Sequence, residues 1–157
     1  MSLTTLAVFV VINLVVASSG AMFKPGPWYE GLEKPGWTPP NWAFPVVWSI
    51  LFFMNAAAGA IVWDAEPAGR GLIFTIYGLS LLLNAGWSAL FFGMKRMDLA
   101  LIEVAGLWLS IAVVAALFAP VSLLAAALLL PYLAWVGVAA LLNQQVLQRN
   151  AGAARAR

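Results

Sequence analysis

Five stretches of this chain are apolar for about twenty residues each, the length a helix needs to cross a hydrocarbon core of about 30 Å. They fall at about 3–23, 44–63, 71–92, 99–118 and 121–147, the last apolar to about Asn143. Inside lipid every backbone N–H and C=O must find its partner within the protein, so each stretch is predicted to be a helix. Composition agrees. Charged residues make up 9% of the chain and hydrophobic residues 64%, whereas a soluble domain carries about 25% charged residues. Lipid is therefore the solvent for most of the surface. The short links after the second, third and fourth stretches predict that successive helices are antiparallel neighbours. The expected fold is an all-α integral membrane protein. Residues 1–150 form one five-transmembrane-helix bundle with a long structured loop, 24–43, between helices 1 and 2, and residues 151–157 form a disordered tail.

Several classes of function are excluded early. The chain has no cysteine and no histidine. That removes disulfides and thiolate sites and the commonest proton shuttle and metal ligand, so no metal site is expected. The 8 basic side chains form no stripe, so no nucleic-acid partner is expected. Ala17-Ser18-Ser19-Gly20-Ala21 resembles a signal-peptide cleavage region, but no basic residue precedes the first apolar stretch, which favours a retained helix. The basic residues are divided unevenly between the two sides. Lys24, Lys34, Lys95, Arg96, Arg149, Arg155 and Arg157 share one side, and Arg70 stands alone on the other. If the membrane is a bacterial inner membrane, the positive-inside rule puts the N-terminus out and the C-terminus in the cytoplasm. Asp98 and Ser122 are expected to cap the fourth and fifth helices. Pro131 is expected to kink the fifth.

The loop 24–43 is the informative link. It contains the prolines 25, 27, 35, 39 and 40 together with Trp28, Tyr29, Trp37 and Trp42. Prolines lower the entropy lost on ordering. A loop this long without regular structure is often a functional lid. The alternative is an aromatic belt at the headgroup level.

Polar and aromatic groups inside the spans are the other resource. Asn84, Trp87, Ser88 and Phe91 recur at helical spacing and share one face, and an amide in hydrocarbon must find partners, so that face is expected to look inward. Trp48 and Phe52, Tyr132 and Trp135, and Trp108 add aromatic surface. At about 1.5 Å per residue, Trp135 and Trp108 each lie roughly 15 Å inside the loop-side boundary, too deep for a belt. Trp48, Trp87, Trp108 and Trp135 are thus expected to line one cavity beneath the loop, with a plain large-residue core as the alternative. Glu103 is the ionisable residue clearly inside a span. It is either functional or snorkelling toward the loop side and Lys95. Small residues at 56–60 and at Gly71, Thr75 and Gly78 permit close helix contact within the bundle or across a dimer.

Here the motifs resemble a known family. Trp37-Thr38-Pro39-Pro40, Phe44-Pro45-Val46-Val47-Trp48, the run from Leu83 to Gly93, and Pro131-Tyr132-Leu133-Ala134-Trp135 with Asn143 downstream are similar, in this order, to signatures of the TspO/MBR family. That family comprises the translocator and tryptophan-rich sensory proteins, including the peripheral-type benzodiazepine receptor. The resemblance implies a bundle, often a homodimer, that binds porphyrins and synthetic isoquinoline or benzodiazepine ligands under the first loop. Carried over by motif, the ligand-binding candidates are Tyr29, Trp37, Trp48, Asn84, Trp87, Ser88 and Trp135. Bacterial members are reported to degrade protoporphyrin in light, and the residues matching the tryptophans implicated there are Trp48 and Trp135. The fifth-helix sterol pattern of eukaryotic members is absent here, because the next basic residue after Tyr132 is Arg149.

The expected function is that of a membrane sensor or regulator binding a protoporphyrin-type tetrapyrrole, with no obligatory cofactor. Trp faces suit a flat ring, and Lys24 or Lys34 is expected to meet its propionates at the rim. Two alternatives remain: a light- and oxygen-dependent porphyrin-degrading enzyme using Trp48 and Trp135, and a small-molecule transporter. The chain lacks the repeats typical of secondary transporters.

Overall fold

The computed structural model describes residues 1–152. Of the tail expected to be disordered, residues 153–157 lie outside the described residues, while Ala151 and Gly152 have helical backbone. The helices are α1 (Leu3–Met22), a single-turn α2 (Pro27–Glu30), α3 (Ala43–Asp64), α4 (Arg70–Ser88), α5 (Met97–Phe118) and α6 (Leu123–Arg149). All except α2 are long and apolar enough to span a bilayer. The protein is a multi-pass integral membrane protein.

The five long helices close into a ring in the order α1, α3, α6, α5, α4 and back to α1. Sequential neighbours pack as expected for α4–α5 and α5–α6. They do not for α3 and α4, because α1 stands between them. Gly59 explains how. A Cβ there would sit 2.6 Å from the Phe9 ring, so only glycine lets the α1 phenylalanine enter against α3. Phe9 then meets Trp63, Phe74 and Tyr77 at 5.7–6.1 Å between ring centroids.

The same region is closed by hydrogen bonds. Asn13 Nδ2 donates to the Phe9 carbonyl (2.9 Å) and to the Tyr77 hydroxyl (3.0 Å). Asn55 Nδ2 donates to Asn13 Oδ1 (2.8 Å), and the Tyr77 hydroxyl donates to the Asn55 carbonyl (3.1 Å). Three helices are thereby joined through buried amides, whose alternative in hydrocarbon is to remain unpaired. At the N-terminal end of α1, Ser2 caps the helix by accepting from the Thr5 N–H at 3.0 Å. The Ser2 N–H and the Thr5 hydroxyl both donate to Asp64 at the end of α3.

Ser122 caps α6, its side chain accepting from the Ala125 N–H. Asp98 caps nothing. Helix α5 starts one residue before it, at Met97, and its carboxylate instead pairs with Arg96 through two hydrogen bonds of 2.8 and 2.6 Å. Helix α6 continues unbroken through Pro131.

Two further features bear on the site. Helix α4 widens into a π turn over Ala89–Gly93. It ends where Lys95 takes the left-handed conformation (φ 57°) and the Arg96 N–H reaches back to the Leu90 carbonyl. The long loop is partly helical, since Pro27 starts α2 from its first position, where no N–H is needed.

Candidate functional site

A cavity of about 510 Å³ lies between the ring and the loop, within the range of about 300–1,000 Å³ usual for small-molecule sites. Its roof is the loop, through Lys24, Pro25, Tyr29, Glu30 and Asn41. One wall is α3, through Phe44, Trp48 and Phe52; another is α4, through Asn84, Trp87 and Ser88. Leu107 of α5 and Val136 of α6 also line it.

The roof is held by aromatic packing. Tyr29 is buried at 4% exposure and meets the rings of Phe91 and Phe92 edge-on at 6.0 and 5.4 Å. Both phenylalanines lie in the π turn, so the irregular end of α4 is the platform for the loop. Gly93 belongs to this arrangement, because a Cβ there would lie 2.7 Å from the Phe23 ring at the end of α1. Burial pushes the Tyr29 phenol above its ordinary pKa, so it remains a neutral hydroxyl.

Of the residues singled out in the sequence, Tyr29, Trp48, Asn84, Trp87 and Ser88 meet at this cavity. Trp135 stands one layer behind. It shares a narrow slot with Pro39, Phe44, Trp48 and Trp87, and its ring meets Phe44 edge-on at 5.8 Å. Trp37 touches neither space and is 46% exposed. The stiff Pro39-Pro40 segment brings Pro39, not the indole of Trp37, to the slot. Trp108 is also elsewhere. It is 40% exposed on the outer side of α5, and its indole donates to the Leu133 carbonyl of α6 at 3.1 Å beside Gly137. Depth alone does not fix which way a side chain points.

Two electrostatic expectations also change. Lys34 does not face the cavity. Its ammonium donates to the carbonyls of Tyr29, Glu30 and Leu32 at 2.7–3.2 Å, which closes the C-terminal end of α2, and it lies 4.7 Å over the Tyr29 ring. Lys24 alone of the two reaches the rim. Glu103 neither snorkels nor pairs with Lys95. Both its carboxyl oxygens are covered and unpartnered, with Oε1 turned toward Gly86, while Lys95 lies 5.9 Å from the Trp28 ring.

Asn84 is satisfied in part, donating to the Tyr132 hydroxyl at 2.7 Å. The indole N–H groups of Trp87 and Trp135 are buried with no partner. A buried unpaired donor costs about 1–3 kcal/mol. Trp87 borders the chamber and Trp135 the slot behind it. Among the described residues no cluster of His, Cys, Asp or Glu is assembled for a metal.

One wall escaped the sequence reading. Val16, Ala17, Gly20 and Ala21 of α1 line the cavity. These include the small residues that resemble a cleavage region, and their lack of bulk is what leaves the space open. A Cβ on Gly20 would reach within 4.0 Å of Ser88 Oγ. The concentration of small residues at one end of an otherwise bulky helix was the available signal.

The family model described as TspO/MBR matches residues 6–149 of this chain. The chain belongs to the TspO/MBR family. Among its relatives, the tryptophan-rich protein TspO of Chlorobaculum tepidum is 41% identical, over 93% of this chain and 96% of its own. Protein CrtK of Rhodobacter capsulatus is 38% identical, over 97% and 96%. The human translocator protein is 36% identical, over 80% and 76%. The TspO/MBR match therefore covers every helix that builds the chamber and the loop that roofs it.

Proposed function

We propose that this protein binds a protoporphyrin-type tetrapyrrole in the chamber and acts as a membrane sensor or regulator of that ligand. The observation that carries the proposal is the chamber itself: about 510 Å³, walled by the indoles of Trp48 and Trp87, with an unpaired N–H donor at Trp87 and another at Trp135 in the slot behind. Indole faces favour offset stacking on a flat aromatic ring. Lys24 at the rim meets a propionate where water still reaches it, and Ser88 and Asn41 add polar contacts. Flat isoquinoline or benzodiazepine ligands fit the same chemistry. The names of the relatives, tryptophan-rich sensory protein and translocator protein, accord with sensing or carriage. We further propose the orientation with the loop side in the cytoplasm, since five of the six basic residues among the described residues lie there, and assembly as a homodimer.

A second reading is photo-oxidative breakdown of the bound ring. Trp48 lines both the chamber and the slot that holds Trp135, so an excited ligand against Trp48 has a second indole behind it. Excited porphyrin and oxygen would supply the reactivity. The test is a titration of Trp fluorescence with protoporphyrin in nanodiscs, followed by illumination while the Soret band is recorded. Saturable quenching is expected, weakened in Trp48→Ala. No quenching in the parent removes the binding proposal. Equal bleaching by the parent and by Trp48→Phe with Trp135→Phe removes the enzymatic one.

A further inference from the structure

The loop is fastened to the helices at one point that no cavity residue supplies. The hydrogen bonds of α2 and its flanks stay within the loop. Among the described residues, the hydrogen bonds that tie the loop's interior to the rest of the molecule both come from Asn150, at the end of α6. Asn150 Oδ1 accepts from the Glu33 N–H at 3.1 Å, and Asn150 Nδ2 donates to the Glu33 carbonyl at 2.9 Å. The amide thus grips both polar groups of one loop residue, as a neighbouring strand would. It is itself held in place, because Nδ2 and the Asn150 N–H both donate to the Val146 carbonyl at 2.8 and 3.1 Å. Leu32 beside it packs into a small core with Val146 and Leu147. The remaining attachments of the loop are its two ends and apolar contact, of which Tyr29 on Phe91 and Phe92 is the centre.

We propose that Asn150 is the clasp of the lid, a positioning residue that sets how often the loop lifts and hence how fast the chamber exchanges its contents. This deepens the reading of the cavity as a ligand chamber and rests on it. The chemistry favours a reversible clasp. The two hydrogen bonds are exposed to water, where an opened pair is resolvated at little cost, whereas the aromatic attachment at Tyr29 is buried. The loop can release at Glu33 and hinge on its ends while the ring of helices stays closed. Because the clasp reads backbone, the side chain of Glu33 is not part of it.

The test uses the full chain in nanodiscs and exploits its lack of cysteine. Ser88→Cys places one thiol in the chamber wall, and a charged thiosulfonate reports its exposure without any ligand. In that background Asn150→Ala is expected to raise the labelling rate about five- to tenfold, the effect of losing two solvent-exposed hydrogen bonds. Asn150→Asp keeps an acceptor for the Glu33 N–H and loses the donor, so it is expected to fall between. Glu33→Ala is expected to label at the parental rate. Hydrogen exchange of the peptide 28–34 is expected to quicken in Asn150→Ala while α6 up to Val146 keeps its protection, which separates loosening of the loop from unfolding of the helix. Parental labelling in Asn150→Ala, or equal acceleration by Glu33→Ala, overturns the clasp. Protoporphyrin release, followed by stopped-flow recovery of Trp fluorescence, is expected to quicken in the same order. If the parent binds no protoporphyrin, the proposed ligand is lost while the thiol still decides the clasp.

Discussion

The end of the bundle around Asn13 and the end around the cavity are made of the same residue types, large aromatics and buried amides, arranged to opposite effect. Around Asn13, rings of Phe9, Trp63, Phe74, Tyr77 and Phe118 meet one another, and the amides of Asn13 and Asn55 are bonded across three helices. The polar atom left over there is Arg70 Nε, whose guanidinium lies 3.5 Å over the Trp63 ring. Around the cavity the aromatics pack in pairs along the walls, Trp48 with Phe52 and Trp87 with Phe92, and leave an open volume between them with two indole N–H groups nearby that lack partners. One end holds the helices together. The other is left open by the small residues Ala17, Gly20 and Ala21 of α1, which teaches that the same aromatic and amide side chains make a core or a chamber according to what faces them.

That contrast can be broken most strongly at Gly59. Gly59→Val drives a branched side chain into the Phe9 ring, which is hemmed in by other rings and cannot retreat. We expect it to cost about 3 kcal/mol of stability, read as a large fall in Tm, with ligand affinity lost only through unfolding. Trp48→Ala is the counterpart at the open end. It is expected to weaken protoporphyrin binding at least tenfold, about 1.4 kcal/mol, with a smaller fall in Tm. A larger stability loss than for Gly59→Val would reverse the roles of the two ends.

Smaller effects sharpen the same distinction. Tyr77→Phe removes the donor to the Asn55 carbonyl and the acceptor of Asn13, and should lower stability by about 1 kcal/mol while the quenching titration is unchanged. Trp87→Phe removes an unpaired donor and part of a ring stacked on Phe91, so the ligand-free protein should lose only a little Tm, from packing, whereas affinity should drop about threefold if the donor serves the ligand. Unchanged affinity would show that the N–H does not serve the ligand. The smallest effect is expected from the rim. Lys24→Ala should weaken protoporphyrin binding about twofold and reduce its salt dependence, and Lys34→Ala should leave the affinity unchanged, because its ammonium is engaged by α2 carbonyls.

The spans were legible because hydrocarbon imposes length and composition on any segment that crosses it, and Asn84, Trp87 and Ser88 were legible as a group because a polar residue fixes which face looks inward. Where no polar residue marks the face, the pattern is silent. Lipid is as apolar as a core, so an outward helix face is as hydrophobic as an inward one. Trp108 shows the consequence: it lies deep in the membrane yet on the outside of α5. Trp37 was misplaced for another reason, since a proline-stiffened loop has no periodicity from which to read direction. Asn13 lay in plain sight in the first span. Its partners on α3 and α4 come from the ring order, which linker length does not reveal when α1 stands between them.

The π turn at Ala89–Gly93 has a further consequence. An α-helix advances each side chain by about 100° per residue, so a widened turn acts as a single-residue insertion. Everything before it keeps one phase around the helix axis and everything after it takes another. Asn84 and Trp87 address the chamber in the first phase, while Phe91 and Phe92 address Tyr29 in the second. Restoring regular winding by removing one residue between 89 and 93 would swing the loop's platform round the axis, and Phe92 of the chamber wall with it, while Asn84 and Trp87 kept their phase. A single helix therefore sets both what is held and what covers it, with Phe92 shared between the two.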